Sequence, residues 1–145
     1  METLSADEID DLLMRCGVGV LSLYDGTYPY AIPMSFGYDG DGPIFSIQLG
    51  TTEQSYKRKC LDRSENACFT VYDEPDAGIW HSAVLRGDLR ELTDEEAKTA
   101  FAALAANAEF PADVRVWGVP IDEVNLELYG LDIEERSGRK FRMTE

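Results

Sequence analysis

Positive charge is what this 145-residue chain has least of: four lysines, nine arginines and one histidine stand against 28 acidic residues, leaving a formal charge of −15. That shortage makes nucleic acid and anionic membranes poor partners, because a phosphate surface would repel the protein. One histidine and no CxxC spacing leave no transition-metal constellation, so no metal site is expected. Cys16, Cys60 and Cys68 are odd in number and read as reduced thiols, which points to a cytoplasmic location. No apolar run approaches the roughly 20 residues that span a bilayer. Met1 to Glu8 is acidic and has no apolar core, so no signal peptide is expected. GxSxG, Walker and GxGxxG motifs are missing as well, which leaves hydrolase and dinucleotide-fold readings without support.

What is present is a globular pattern. Hydrophobic residues make up 44% of the chain, enough to exclude disorder by composition. The length suits one domain over residues 1–145, with a core from about residue 5 to 135 and a polar tail at 136–145. An acidic surface over such a core suggests a halophilic protein, adapted to a salt-rich cytoplasm; the alternative is an acidic coat that repels partners.

The strongest local signal is a hairpin. Residues 28–38 and 43–48 are period-2 runs flanking Asp39-Gly40-Asp41-Gly42, a turn signature. In the first run Tyr30, Ile32, Met34, Phe36 and Tyr38 share one face, and Ala31, Pro33, Ser35 and Gly37 share the other. The small face lets a flat or bulky ligand lie close to the backbone. Pro33 lacks an N–H, so the strand should be broken or exposed there. Gly17 to Tyr24 precedes this hairpin as a strand, giving a three-stranded antiparallel meander.

Three capping boxes open helices: Ser5-x-x-Glu8, Thr51-x-x-Gln54 and Thr93-x-x-Glu96. The first helix ends at Gly17, the second near Arg63, and the third carries Ala97 to Ala108 at helical spacing. Asn66 to Asp73 and Ile79 to Leu92 read as strands joined by a loop at Glu74 to Gly78, with a bend or bulge at Gly87. Phe110 to Pro120 is irregular, and Val124 to Glu134 is a closing strand. Short turns between consecutive strands predict a mainly β fold, an antiparallel barrel with flanking α-helices.

Two stretches could carry chemistry. The Thr51 cap offers free backbone N–H groups, and Lys57, Arg58 and Lys59 follow as a basic island, a phosphate site by its chemistry. The same cations could equally balance nearby carboxylates and the helix C-terminus. On the strand from Ile79, Trp80, Ser82, Val84 and Arg86 share a face. Trp80 beside the Ser82 hydroxyl suits a planar heterocycle, or Trp80 belongs to the core or a dimer interface. His81 falls on the opposite face. No side chains form a catalytic dyad, so catalytic residues stay unassigned.

In this order the pieces resemble the pyridoxamine 5′-phosphate oxidase-like, flavin-binding split-barrel family, in its short, haloarchaeal-type form. The resemblance runs through Tyr30-Ala-Ile-Pro-Met-Ser-Phe-Gly-Tyr38, Ile44-Phe-Ser-Ile47, Lys57-x-x-x-Leu61, Asn66-Ala-Cys-Phe-Thr-Val71 and Trp80-x-Ser82-x-x-x-x-Gly87. It implies a split β-barrel homodimer with FMN between the two barrels, acting as an oxidoreductase on a small-molecule electron donor or acceptor. Ile32, Pro33, Met34 and Ser35 would run along the flavin ring. Ser46 and Ile47 would approach the ribityl chain and phosphate, and Lys57 would bind the phosphate. Trp80 and Ser82 would reach the flavin from the partner subunit. Some relatives use deazaflavin or haem, so a non-catalytic cofactor-binding module is the alternative. The chain departs from the family in a longer link before Lys57, in Tyr56 where a basic residue is common, and in lacking the substrate-binding Arg and His of the true oxidase.

The halophilic reading has a direct test. The melting temperature should rise strongly as KCl is taken into the molar range, because salt screens the self-repulsion of the acidic surface. A flat melting curve would remove that reading.

Overall fold

The computed structural model describes residues 2–38, 40, 43–48, 66–93, 95–96, 115–116, 119–120 and 126–143. The expected helix from Thr51 lies outside these residues, as does the helix after Glu96. The order is β1 (Glu2–Thr3), α1 (Ala6–Arg15), β2 (Val18–Tyr24), β3 (Pro29–Tyr38), β4 (Pro43–Gln48), β5 (Asn66–Asp76), β6 (Ile79–Glu91), β7 (Arg115–Val116), β8 (Val119–Pro120) and β9 (Leu126–Arg142). All strand pairings are antiparallel.

The sheet runs β9-β4-β3-β2-β5-β6, and β6 pairs back onto β9, so these strands close into a barrel; β1 adds to the far end of β9. Alternation then sorts side chains inward and outward. Leu21, Phe36, Phe69, Val71 and Leu85 are fully buried inside. Phe36 and Phe69 meet edge to face with ring centroids 4.9 Å apart, the orientation their quadrupoles favour.

Local chemistry fixes the joints. Ser5 caps α1 through the Glu8 N–H, and the Glu8 carboxylate accepts from the Ser5 N–H in return. The helix turns Ile9, Leu12 and Leu13 into the core. In the β2–β3 turn the Asp25 carboxylate accepts from the N–H groups of Thr27 at 2.7 Å and Tyr28 at 2.6 Å, while Gly26 takes a φ of +99° that other residues resist. Thr93 and Glu96 form the third capping box, with reciprocal bonds of 3.1 and 3.3 Å. Arg90 also donates to the Glu96 carboxylate, and with the Thr93 N–H this lowers its pKa to about 2.

Several expectations need correction. Residues 136–142 are not a polar tail but the end of a 17-residue strand, β9, paired with β6 as far as Ile79↔Arg142. Their polarity misled because this half of the strand faces solvent outward and α1 inward, not the barrel core. A Cβ on Gly138 would sit 2.9 Å from both Ile9 and Leu4, so glycine there is the seat of the helix. Glu74 to Asp76 belong to β5, with a register shift after Asp73, and the turn narrows to Ala77-Gly78. Within the stretch expected to be irregular, Arg115–Val116 and Val119–Pro120 pair as a small ribbon. Of the two outcomes expected at Pro33 the second holds: it is exposed and pairs with Val20 within an unbroken β3, and β3 meets β4 only from Phe36 onward.

Gly87 is the sharpest constraint. Arg86 pairs with Glu135 and Gly87 with Ile133, so Glu134 is an extra residue in β9, a β-bulge. A Cβ on Gly87 would lie 1.9 Å from the Asp132 carbonyl oxygen. Gly87→Ala should therefore cost about 1–3 kcal/mol of stability through overpacking, read as a lower urea midpoint. An unchanged midpoint would show that the strands have room to separate.

Candidate functional site

The outer wall of the barrel is the place where sequence and geometry meet. Side chains paired directly across antiparallel strands share a face, so the register defines rows on this wall. One row is Pro33, Val20, Thr70, Val84 and Ser137; the next is Ala31, Ser22, Cys68, Arg86 and Glu135. Small residues dominate both rows from β3 to β5. Ala31 and Pro33 are exposed and Ser35 is partly so, while Met34 and Phe36 of the same strand are buried in the core. The bed of small side chains is thus open and is not filled by the protein's own Met and Phe.

The sequence-derived residues divide by this geometry. Pro33 and Ser35 stand on the bed, whereas Ile32 and Met34 turn inward, Ile32 packing against the core. Ile32 and Met34 can therefore offer only backbone groups to the outer wall. Ser46 and Ile47 lie on β4, paired with Leu128 and Glu127 of β9. Lys57 lies outside the described residues. Trp80 and Ser82 share the outer wall with the bed, but β2 and β5 separate β6 from β3. Three strand spacings amount to roughly 14 Å, so one protomer does not bring Ser82 to Ser35.

Trp80 is not a core residue. It is partly exposed and stacks on Phe141 at 6.5 Å with the rings 12° from parallel, and Tyr72 lies 6.4 Å away on its other strand neighbour. Tyr72 is 62% exposed and Phe141 39% exposed. This aromatic patch on β5, β6 and β9 was missed from sequence, because Phe141 fell in the supposed tail.

Two polar clusters tie α1 to the barrel. Arg15 grips Asp73 through Nε at 2.5 Å and Nη2 at 3.0 Å, and its Nη2 also lies 3.2 Å from His81 Nδ1. The bond to Asp73 holds the Arg15 pKa above its ordinary value. A guanidinium only donates, so His81 Nδ1 must accept and a neutral ring carries its proton on Nε2. Tyr38, buried on β3, donates its hydroxyl to Asp10, and Arg136 donates to Asp10 at 3.0 Å. Burial, and then the Asp10 bond, raise the Tyr38 pKa. Both clusters tie the helix to the barrel strands.

An open cleft of about 410 Å³ lies at the β2–β5–β6–β9 end of the outer wall, lined among others by Ser22, Asn66, Cys68, Arg86 and Glu134. No group of three or more His, Cys, Asp or Glu able to hold a metal occurs among the described residues. Among them, too, no helix is long and apolar enough to cross a membrane.

Comparison with known proteins follows the same lines. A family model described as pyridoxamine 5′-phosphate oxidase matches residues 5–140. No curated protein matches the chain significantly. Among solved structures, an FAD-binding protein from Mesorhizobium loti is similar at a TM-score of 0.74 and 21% identity, covering 97% of each chain. An FAD binding protein from Mycobacterium smegmatis gives 0.67 and 23%, covering 99% of this chain and 100% of that one. A heme binding protein from Mycobacterium smegmatis gives 0.68 and 16%, covering 99% of this chain and 60% of that one. At these identities the likeness establishes the fold, a mainly β split barrel.

The cysteines offer a check on the geometry around α1. Burial, reinforced by Asp73, pushes the Cys16 thiol up to about 11. The thiolate is the nucleophile, so Cys16 should stay unlabelled by iodoacetamide at pH 8 and react as the pH nears 11. Peptide mass spectrometry reads this, and rapid labelling at pH 8 would contradict the placement of Cys16.

Proposed function

The chain belongs to the pyridoxamine 5′-phosphate oxidase family, and from that premise we propose that it is an FMN-binding flavoprotein acting as an oxidoreductase on a small-molecule donor or acceptor. The observation that carries this reading is the open bed on β3: Ala31, Pro33 and Ser35 outward, Met34 and Phe36 inward. A planar tricyclic ring fits such a surface because, among the described residues of β3, no bulky side chain points outward there. Bound FMN would supply hydride or electron transfer, which needs no nucleophile from the protein.

The chain's own residues bind and orient. The Ser35 hydroxyl and the backbone of Ile32, Pro33 and Met34 would hold the ring. Ser46 and Ile47 would serve the ribityl chain, and Lys57 would supply the phosphate with a charge-assisted hydrogen bond. Trp80 and Ser82 complete the site from a second protomer, since their own bed is roughly 14 Å away. This division of labour is the argument for a homodimer: the site is incomplete in one copy. The exposed aromatic patch of Tyr72, Trp80 and Phe141 would then be covered on association.

The second reading is a module that holds haem without turnover, suggested by the structural likeness to a heme binding protein from Mycobacterium smegmatis. His81 is the chain's one histidine, and it suits an axial ligand poorly. Its Nδ1 faces Arg15, which leaves the proton on Nε2, where a lone pair would be needed to bind iron.

Titration with FMN should quench flavin fluorescence to a one-to-one endpoint per chain, and light scattering should give a dimer. Ser35→Trp, placing a bulky ring on the bed, should weaken FMN binding at least tenfold with an unchanged melting temperature. Lys57→Gln should weaken it by about tenfold to a hundredfold, the worth of one charged hydrogen bond. Colourless protein that takes up no FMN would end the proposal.

A further inference from the structure

The cleft on the outer wall is not absorbed by the flavin reading. It begins at Ser22, the direct partner of Ala31 on the adjoining strand, and follows the row Ser22, Cys68, Arg86 away from β3. Its walls combine the exposed ring of Tyr24 with the polar groups of Ser22 and Asn66.

Its charged groups are arranged by the bulge. Where the Gly87 backbone comes close to Asp132, β9 carries one extra residue, and that residue, Glu134, lines the cleft. Bulges commonly re-aim a side chain beside a site. Among the described residues Glu134 has no ion-pair partner. Across the cleft Arg86 has one loose contact, 3.7 Å to Glu135, with both side chains about two-thirds exposed at 67% and 65%. An exposed pair at that distance contributes little, so the guanidinium fork is free to exchange Glu135 for a ligand carboxylate.

The signs of these charges restrict the ligand. One guanidinium beside Glu134 and Glu135 leaves the cleft net negative, which disfavours a simple anion. A ligand bearing both charges satisfies both walls: its carboxylate on Arg86, bidentate, and its ammonium on Glu134. An apolar substituent would lie against the Tyr24 ring. We propose that this cleft binds a small zwitterion, an α-amino acid with an aromatic or large apolar side chain. The cleft adjoins the flavin bed through Ser22, the direct partner of Ala31, while its two charged groups, Arg86 and Glu134, stand on β6 and β9.

The test is an amide NMR titration of the full chain, with and without added FMN, using L-phenylalanine, 3-phenylpropionate and phenethylamine. L-Phenylalanine should shift the Asn66, Cys68 and Gly87 amides saturably in both conditions, and the two single-charge analogues should bind at least tenfold more weakly. Arg86→Gln and Glu134→Gln, both at exposed positions, should each weaken L-phenylalanine by about tenfold to a hundredfold while preserving the spectrum elsewhere. Equal binding by either analogue, unaltered binding by the variants, or no saturable shift at the cleft would overturn the proposal. Because the apoprotein is titrated separately, failure to take up FMN leaves this outcome readable.

Discussion

One strand has to satisfy two neighbours at once. β9 gives its first residues to β4 and nearly its whole length to β6, and without that double engagement the sheet has two open edges and no interior. The core depends on it. Phe36 and Phe69 lie on β3 and β5 and meet on the inner face across β2, where Gly19 leaves room for the Phe69 ring. Each large apolar side chain buried there contributes about 1.5–3 kcal/mol, and closure is the condition for all of them together.

Closure also decides what the outside can be. Once Tyr30, Ile32, Met34, Phe36 and Tyr38 are committed inward, the alternate residues of β3 are committed outward. The functional surface is therefore the complement of the core, written in the same ten residues. The ties from α1 to Asp73 and Arg136 lock the far end of the barrel, so that the outer wall is presented by strands held on both sides.

Much of this was legible in the sequence, for physical reasons that differ by element. The meander of β2, β3 and β4 was readable because a two-faced strand shows its period in hydrophobicity, and the Asp-Gly turns mark where it reverses. The Ser5 and Thr93 capping boxes were readable because they are local chemistry between residues three apart. The end of β9 was not, since its inward residues Arg136, Gly138 and Lys140 meet a helix and polar partners instead of a greasy core. Nor was the partnership of Trp80 with Phe141, which depends on that pairing. The bed at Pro33 and Ser35 came through the small-residue alternation, but its distance from Ser82 is a property of strand order, which no stretch of sequence carries.

The additional residue at Glu134 has a mechanical meaning. Before it, the odd-numbered positions Tyr129, Leu131 and Ile133 point to the interior; after it, the even-numbered Arg136, Gly138 and Lys140 do. β9 thus behaves as two half-strands spliced out of phase, one cut for a hydrophobic barrel and the other for a polar junction with a helix. Such a splice lets one continuous strand serve two surfaces, the alternation that lines the barrel ending where the seat of the helix at Gly138 begins.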